Sequence, residues 1–124
     1  MSPSTALTEL IPSAIPLLQA PMAGAQGSAL ALAVCAAGGV GGLPAAMLSP
    51  EALRAELQVL RDRARGPWNV NFFCHTPPTP DADAEARWRA VLQPFYEEAG
   101  IDPASVPAGA GRVPFSHAVA DVVE

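Results

Sequence analysis

The sequence predicts an α/β chain built on a parallel sheet. Short apolar stretches alternate with stretches of helical pattern, and the connections between them are short. That repeated strand–helix order is the mark of parallel strands, which need a crossover to return the chain. Half of the residues are hydrophobic and 15% are charged, so the chain can bury a core and does not read as a disordered segment. Its 124 residues suit one domain at most, and no solenoid-like repeat offers a competing architecture.

Residues 1–14 read as an N-terminal extension. The first strand is expected near 15–20, an apolar run bounded by Pro12 and Pro21. Loop chemistry follows in PMAGAQG, and Ser28 is placed to cap a helix near 28–37. That helix has no charge on any face and is expected to be buried all round. Gly38 and Gly39 close it and lead to a second strand near 38–43, where glycines signal close backbone approach. Ser49-Pro50-Glu51 is a strong helix start, with a cap, a proline at the first position and an acid at the positive end. Leu53, Leu57 and Leu60 then recur along one face, so 50–65 is an amphipathic helix. The third strand is expected near 68–73. A proline-rich loop leads to a helix near 84–99, which Pro94 should kink or interrupt and Gly100 should stop. A last helix is expected near 116–124. No fourth strand follows it in this sequence, so the series is expected to be truncated.

Several functions are disfavoured. A net charge of −5, with every basic residue an arginine set among carboxylates, gives no basic stripe for nucleic acid. Without lysine there is no P-loop, and neither glycine cluster has the spacing or position of a dinucleotide fingerprint. The uncharged stretch between Glu9 and Glu51 is broken by Pro12, Pro16, Pro21 and Pro44. It reads as buried strands and a helix, not as a membrane span. Cys35 and Cys74 are far apart and form no disulfide framework, which suits a reduced, cytoplasmic setting. The adjacent Cys74 and His75 make neither a metal set nor a nucleophilic pair. Cys74 is expected to be packed, His75 half exposed, and His117 to begin a helix without chemistry.

The stretch NVNFF is the most informative. On a strand, Val70 and Phe72 share one face and suit packing under helices. Asn69 and Asn71 point to the other face. A buried amide without a partner costs about 1–3 kcal/mol, so each must be satisfied. Asn71 is nearer the C-terminal end of its strand, where α/β proteins bind ligands. It is the candidate ligand residue, and Asn69 the candidate structural one.

LLQAPMAGAQ, AAGGVGGLPAAMLSPEALRAEL and the run from WNVNFF to GIDP occur in an order and spacing that resemble the N-terminal part of nitronate monooxygenases, also called 2-nitropropane dioxygenases. The resemblance implies the first three βα units of a TIM-type (β/α)8 barrel that binds FMN at its C-terminal face. It implies oxidation of a small-molecule substrate, an alkyl nitronate, by O2 through the flavin. Pro21, Met22 and Ala23 match the loop that lies against the flavin ring, and Asn71 matches an FMN-binding asparagine. The family's catalytic histidine follows a fourth strand, and its phosphate clamp lies near strands seven and eight, so no catalytic residue is expected in this chain. The expectation is an incomplete, inactive fragment with open sheet edges that permit self-association. Two alternatives stay open: a non-enzymatic remnant without cofactor, and a relative of flavin-dependent enoyl reductases.

Overall fold

In the computed structural model, residues 4–106 and 112–124 are described. The elements run in the order α1 (Ala6–Leu10), α2 (Ser28–Ala36), β1 (Gly41–Pro44), α3 (Pro50–Arg63), β2 (Trp68–Asn71), α4 (Ala82–Ala99), a 3-10 turn (Pro103–Ser105) and α5 (His117–Val123). The chain divides into two compact units. The larger comprises residues 1–75 with 112–124, and the smaller residues 76–111.

The larger unit is α/β. β1 and β2 form a small two-stranded parallel sheet, with Gly41 opposite Trp68 and Pro44 opposite Asn71. This arrangement is consistent with a partial barrel. The expected strand near 15–20 is reduced to one parallel bridge, Leu18 to Val40. Pro21 accounts for the loss of pairing after Leu18, since it has no N–H to donate to β1. The second and third strands are shorter than expected, and the second starts later. Gly38 sits at φ +93°, so a turn occupies the first expected positions.

The core forms where the leucine stripe of α3 meets the sheet. Leu53, Leu57 and Leu60 are buried with Ala31 of α2, Leu43 of β1 and Val122 of α5. Val70 and Phe72 pack against this cluster, as the alternation along NVNFF requires. Gly41 makes the close approach of α2 possible. A methyl group there would lie 2.6 Å from the Ala31 carbonyl oxygen and 2.8 Å from Cys35 Sγ.

Helix α2 is not buried all round. Ser28, Ala31 and Cys35 are buried, while Leu30 is 41% exposed. Its cap also differs from the expectation. Gly27 occupies the cap position, and Ser28 is the first helical residue. The open Ser28 N–H instead donates to Glu56 Oε2 of α3 at 2.7 Å, which places a carboxylate at a positive helix end. On α3 itself, the Ser49 hydroxyl accepts from the Ala52 N–H. A hydrogen bond from its own main-chain N–H, then the Ser49 hydroxyl and finally Arg54 hold Glu51 below the usual carboxylate range.

The smaller unit is built around α4, whose Asp81 carboxylate accepts from the Ala84 N–H at 2.9 Å. Pro94 lies inside the helix without ending it, and Gly100 stops it in the left-handed conformation at φ +65°. A missing N–H at one position removes one hydrogen bond, and the turns on either side carry the helix through. No helix among the described residues is long and apolar enough to cross a membrane.

Candidate functional site

The bridged segment and both strands run in the same direction. Leu18 pairs with Val40, and Gly42 with Asn69. The register sets Pro44 opposite Asn71, and the Gln19 amide, two residues before Pro21, bonds to Gly42 of β1. The Pro21–Ala23 segment follows the Leu18–Val40 bridge, and Asn71 is the last residue of β2.

The loop is compact and open to solvent. The Ala25 N–H donates to the Met22 carbonyl at 3.1 Å, and Gln26 Nε2 donates to the Ala20 carbonyl at 2.9 Å. Gly24 has φ +80°, a conformation that suits glycine, and open space surrounds its Cα. Met22 is 51% exposed.

The two asparagines separate by their partners. Asn69 Nδ2 donates to the Gly41 carbonyl at 3.2 Å, so its amide is bound to the neighbouring strand. The Asn71 main chain accepts from the Ala45 N–H at 3.0 Å. Its half-buried side-chain amide takes no partner among the described residues. An amide held at a strand end with its donors and acceptor free is suited to recognising a polar ligand edge.

Gln19, two residues before Pro21, is a residue that sequence patterning does not rank. It carries the asparagines' signal, an amide inside an apolar run, and is 8% exposed. Both ends of its amide bond to Gly42. Nε2 donates to the carbonyl at 3.1 Å, and Oε1 accepts from the N–H at 3.0 Å. Arg112 is another residue the pattern does not flag. Its guanidinium carbon lies 5.4 Å from the centre of the Phe73 ring, just past β2, and its Nη1 is 3.3 Å from Met47 Sδ.

An apolar cavity of about 250 Å3 opens among Leu48, Leu53, Phe72, Phe115 and Val119. The Phe72 and Phe115 rings meet edge to face at 4.9 Å. Pro21, Met22, Ala23 and Asn71 do not line it, so it is separate from the strand-end site. Cys35 is buried, and its thiol donates to the Pro67 carbonyl at 3.2 Å. Cys74 is exposed, contrary to the packed position expected, because β2 ends at Asn71 and leaves it in the following loop. His75 is exposed beside it, and its ring centre is 6.2 Å from that of Phe73. Among the described residues no cluster of His, Cys, Asp and Glu could hold a metal ion.

The sequence model of the nitronate monooxygenase family matches residues 4–107. A nitronate monooxygenase of Paraburkholderia phytofirmans is 41% identical over 88 residues, covering 71% of this chain and 24% of that protein. A nitronate monooxygenase of Pseudomonas aeruginosa is 38% identical over 96 residues, covering 77% of this chain and 27% of that protein. The chain thus spans about a quarter of the length of these relatives. Among solved structures, nitroalkane oxidase from Streptomyces ansochromogenes is similar, with a TM-score of 0.60 and 32% identity. That match covers 95% of this chain and 31% of the other. FabK from Thermotoga maritima gives a TM-score of 0.55 at 28% identity, covering 79% of this chain and 28% of the other. The family match extends through the strand-end loop, both strands and α4, and the chain belongs to the nitronate monooxygenase family.

Proposed function

We propose that this chain forms the ring-side part of an FMN site in a barrel-type oxidoreductase acting on alkyl nitronates and O2. The observation that carries the reading is the half-buried Asn71 amide at the end of β2, without a partner among the described residues, together with the exposed Pro21, Met22 and Gly24 of the loop. The fit is chemical. Little side chain stands between the loop main chain and a flat ring. A neutral amide can both donate to and accept from the polar edge of that ring. Pro21, Met22 and Ala23 would face the ring and Asn71 would hold its edge. Asn69, fixed to Gly41, would keep the strand end in place.

FMN, when bound, supplies the electron-accepting ring that couples substrate oxidation to O2. This chain's residues orient that ring. No residue here is assigned the family's catalytic histidine, so residues 1–124 with added FMN should show no nitronate-dependent O2 uptake above that of free FMN.

Titration of the chain with FMN, followed by flavin fluorescence and the visible absorption band, tests the reading. The wild-type chain should perturb both signals. Asn71→Ala should weaken binding roughly threefold to tenfold, the worth of one net hydrogen bond. Asn69→Ala should chiefly lower stability. An unchanged dissociation constant in Asn71→Ala removes the role given to that amide. A chain that leaves both signals unaltered favours a cofactor-free remnant instead.

A further inference from the structure

The Ile15–Ala20 segment makes main-chain bonds to Gly38 and Val40, which lead into β1, and none to β1 itself among the described residues. Val40 N–H donates to the Leu17 carbonyl at 2.8 Å, and Gln19 N–H donates to the Val40 carbonyl at 3.0 Å. The next rung of a parallel ladder would need an N–H at residue 21 to reach the Gly42 carbonyl. Residue 21 is proline, so that donor does not exist. The Gln19 side chain occupies this place, donating to the Gly42 carbonyl and accepting from the Gly42 N–H. Gly42 allows it: a methyl group there would lie 2.8 Å from the Gln19 carbonyl oxygen. Main chain and amide thus close over a glycine two residues before the loop.

We propose that Gln19 is a positioning residue, whose amide replaces the main-chain rung lost at Pro21 and so fixes the Pro21–Ala23 loop for the flavin ring. This rests on the FMN reading above. The loop carries its own proline at the point where it leaves the sheet. Without the Gln19 amide, nothing described would tie its entry to β1 beyond Val40, and Gly42 would be left with an unpaired N–H and carbonyl.

Amide hydrogen exchange and FMN titration of the intact chain test the proposal together. Gln19→Leu should speed exchange at Gly42 and at residues 22–26 about tenfold, with Leu57 and Leu60 unchanged, and should weaken FMN binding about tenfold. Gln19→Glu supplies a second arm that keeps the shape of the side chain. Its protonated form can donate to the Gly42 carbonyl and accept from the N–H, whereas its carboxylate can only accept. Burial raises the pKa of that carboxyl, so the defect should be present at high pH and relieved as pH falls through it. The wild type should lack this pH response, since neither Ile15–Ala20 nor Gly41–Pro44 carries a titratable side chain. Faster exchange with unchanged FMN affinity would make Gln19 merely structural and overturn the positioning role. Unchanged exchange at Gly42 would overturn the rung itself. A wild-type chain that does not bind FMN defeats the flavin reading, and the positioning role with it, while exchange at Gly42 still decides the rung separately.

Discussion

The two units of this chain hold their helices by opposite means. Helix α3 of the larger unit is amphipathic, and Leu53, Leu57 and Leu60 are each at most 2% exposed. Helix α4 of the smaller unit is longer, with 18 residues against 14, yet none of its residues is buried. Trp88, Val91 and Phe95 are all at least 59% exposed. What α4 has instead is caps and surface pairs, with Arg89 also donating to the Pro103 and Val106 carbonyls. Asp81 caps it, Arg89 pairs with Glu85 at 2.9 Å, Gln93 bonds to Glu97, and Gly100 ends it. Isolated helices of this length are marginal in water. Buried leucines therefore stabilise one helix, and end signals, i,i+4 pairs and the Arg89 bonds to Pro103 and Val106 stabilise the other.

The sharpest way to break this contrast is a core truncation. Leu57→Ala should destabilise the larger unit by about 2–5 kcal/mol, the usual cost of a leucine-to-alanine cavity. The chain has two tryptophans, Trp68 in β2 and Trp88 in α4. In a Trp88→Phe background, Trp68 reports on the larger unit during urea unfolding. A shift of the midpoint by the full amount, with amide exchange along α4 unaltered, supports separate sources of stability. Equal loss of protection in α4 would show that the two units unfold as one.

The opposite sign is expected in the smaller unit. Pro94 removes a hydrogen bond from the interior of α4, at a cost of roughly 3 kcal/mol relative to alanine in an exposed helix. No buried contact of α4 needs the proline ring. Pro94→Ala should therefore raise α4 helicity and slow its exchange, by up to about that free energy. A loss of helicity would mean that α4 is shaped by packing after all.

The same contrast explains how much of the molecule was legible in the sequence. α3 announces itself through its leucine spacing and Ser49-Pro50-Glu51, because burial imposes a period and caps mark an end. Gly100 announces the end of α4 for the same local reason. Pro94 suggests a kink or an interruption, and the helix is not interrupted, since the cost of one missing bond is less than the cost of breaking a long helix in two. The exposed side of α2 was not legible. A helix without charge reads as buried whatever covers it, and the pattern says nothing of which face meets a neighbour. At the site, alternation along NVNFF put Val70 and Phe72 on the core side. It could not say that Asn69 would find the Gly41 carbonyl while Asn71 took no partner among the described residues, because partners across a sheet depend on register. Gln19 was hidden for that reason too. Its role follows from a proline two residues later and a glycine 23 residues later, and only the paired strands bring the three together.

The smallest expected effect isolates the local term in α4. The Asp81 carboxylate satisfies the Ala84 N–H, one of the four donors a helix start leaves open. It also places negative charge at the positive end, with Asp83 and Glu85 in the first turn adding to it. Asp81→Ala should cost α4 about 1 kcal/mol, the typical loss of a cap. Asp81→Asn keeps the acceptor and removes only the charge, so it should retain most of the stability. The measurement is site-resolved amide exchange, with Ala84 most affected and the α3 leucines silent. Because no residue of α4 is fully buried, this modest loss should reach beyond its first turn. A loss of protection confined to the first turn would show that interactions other than the cap and the surface pairs hold the helix.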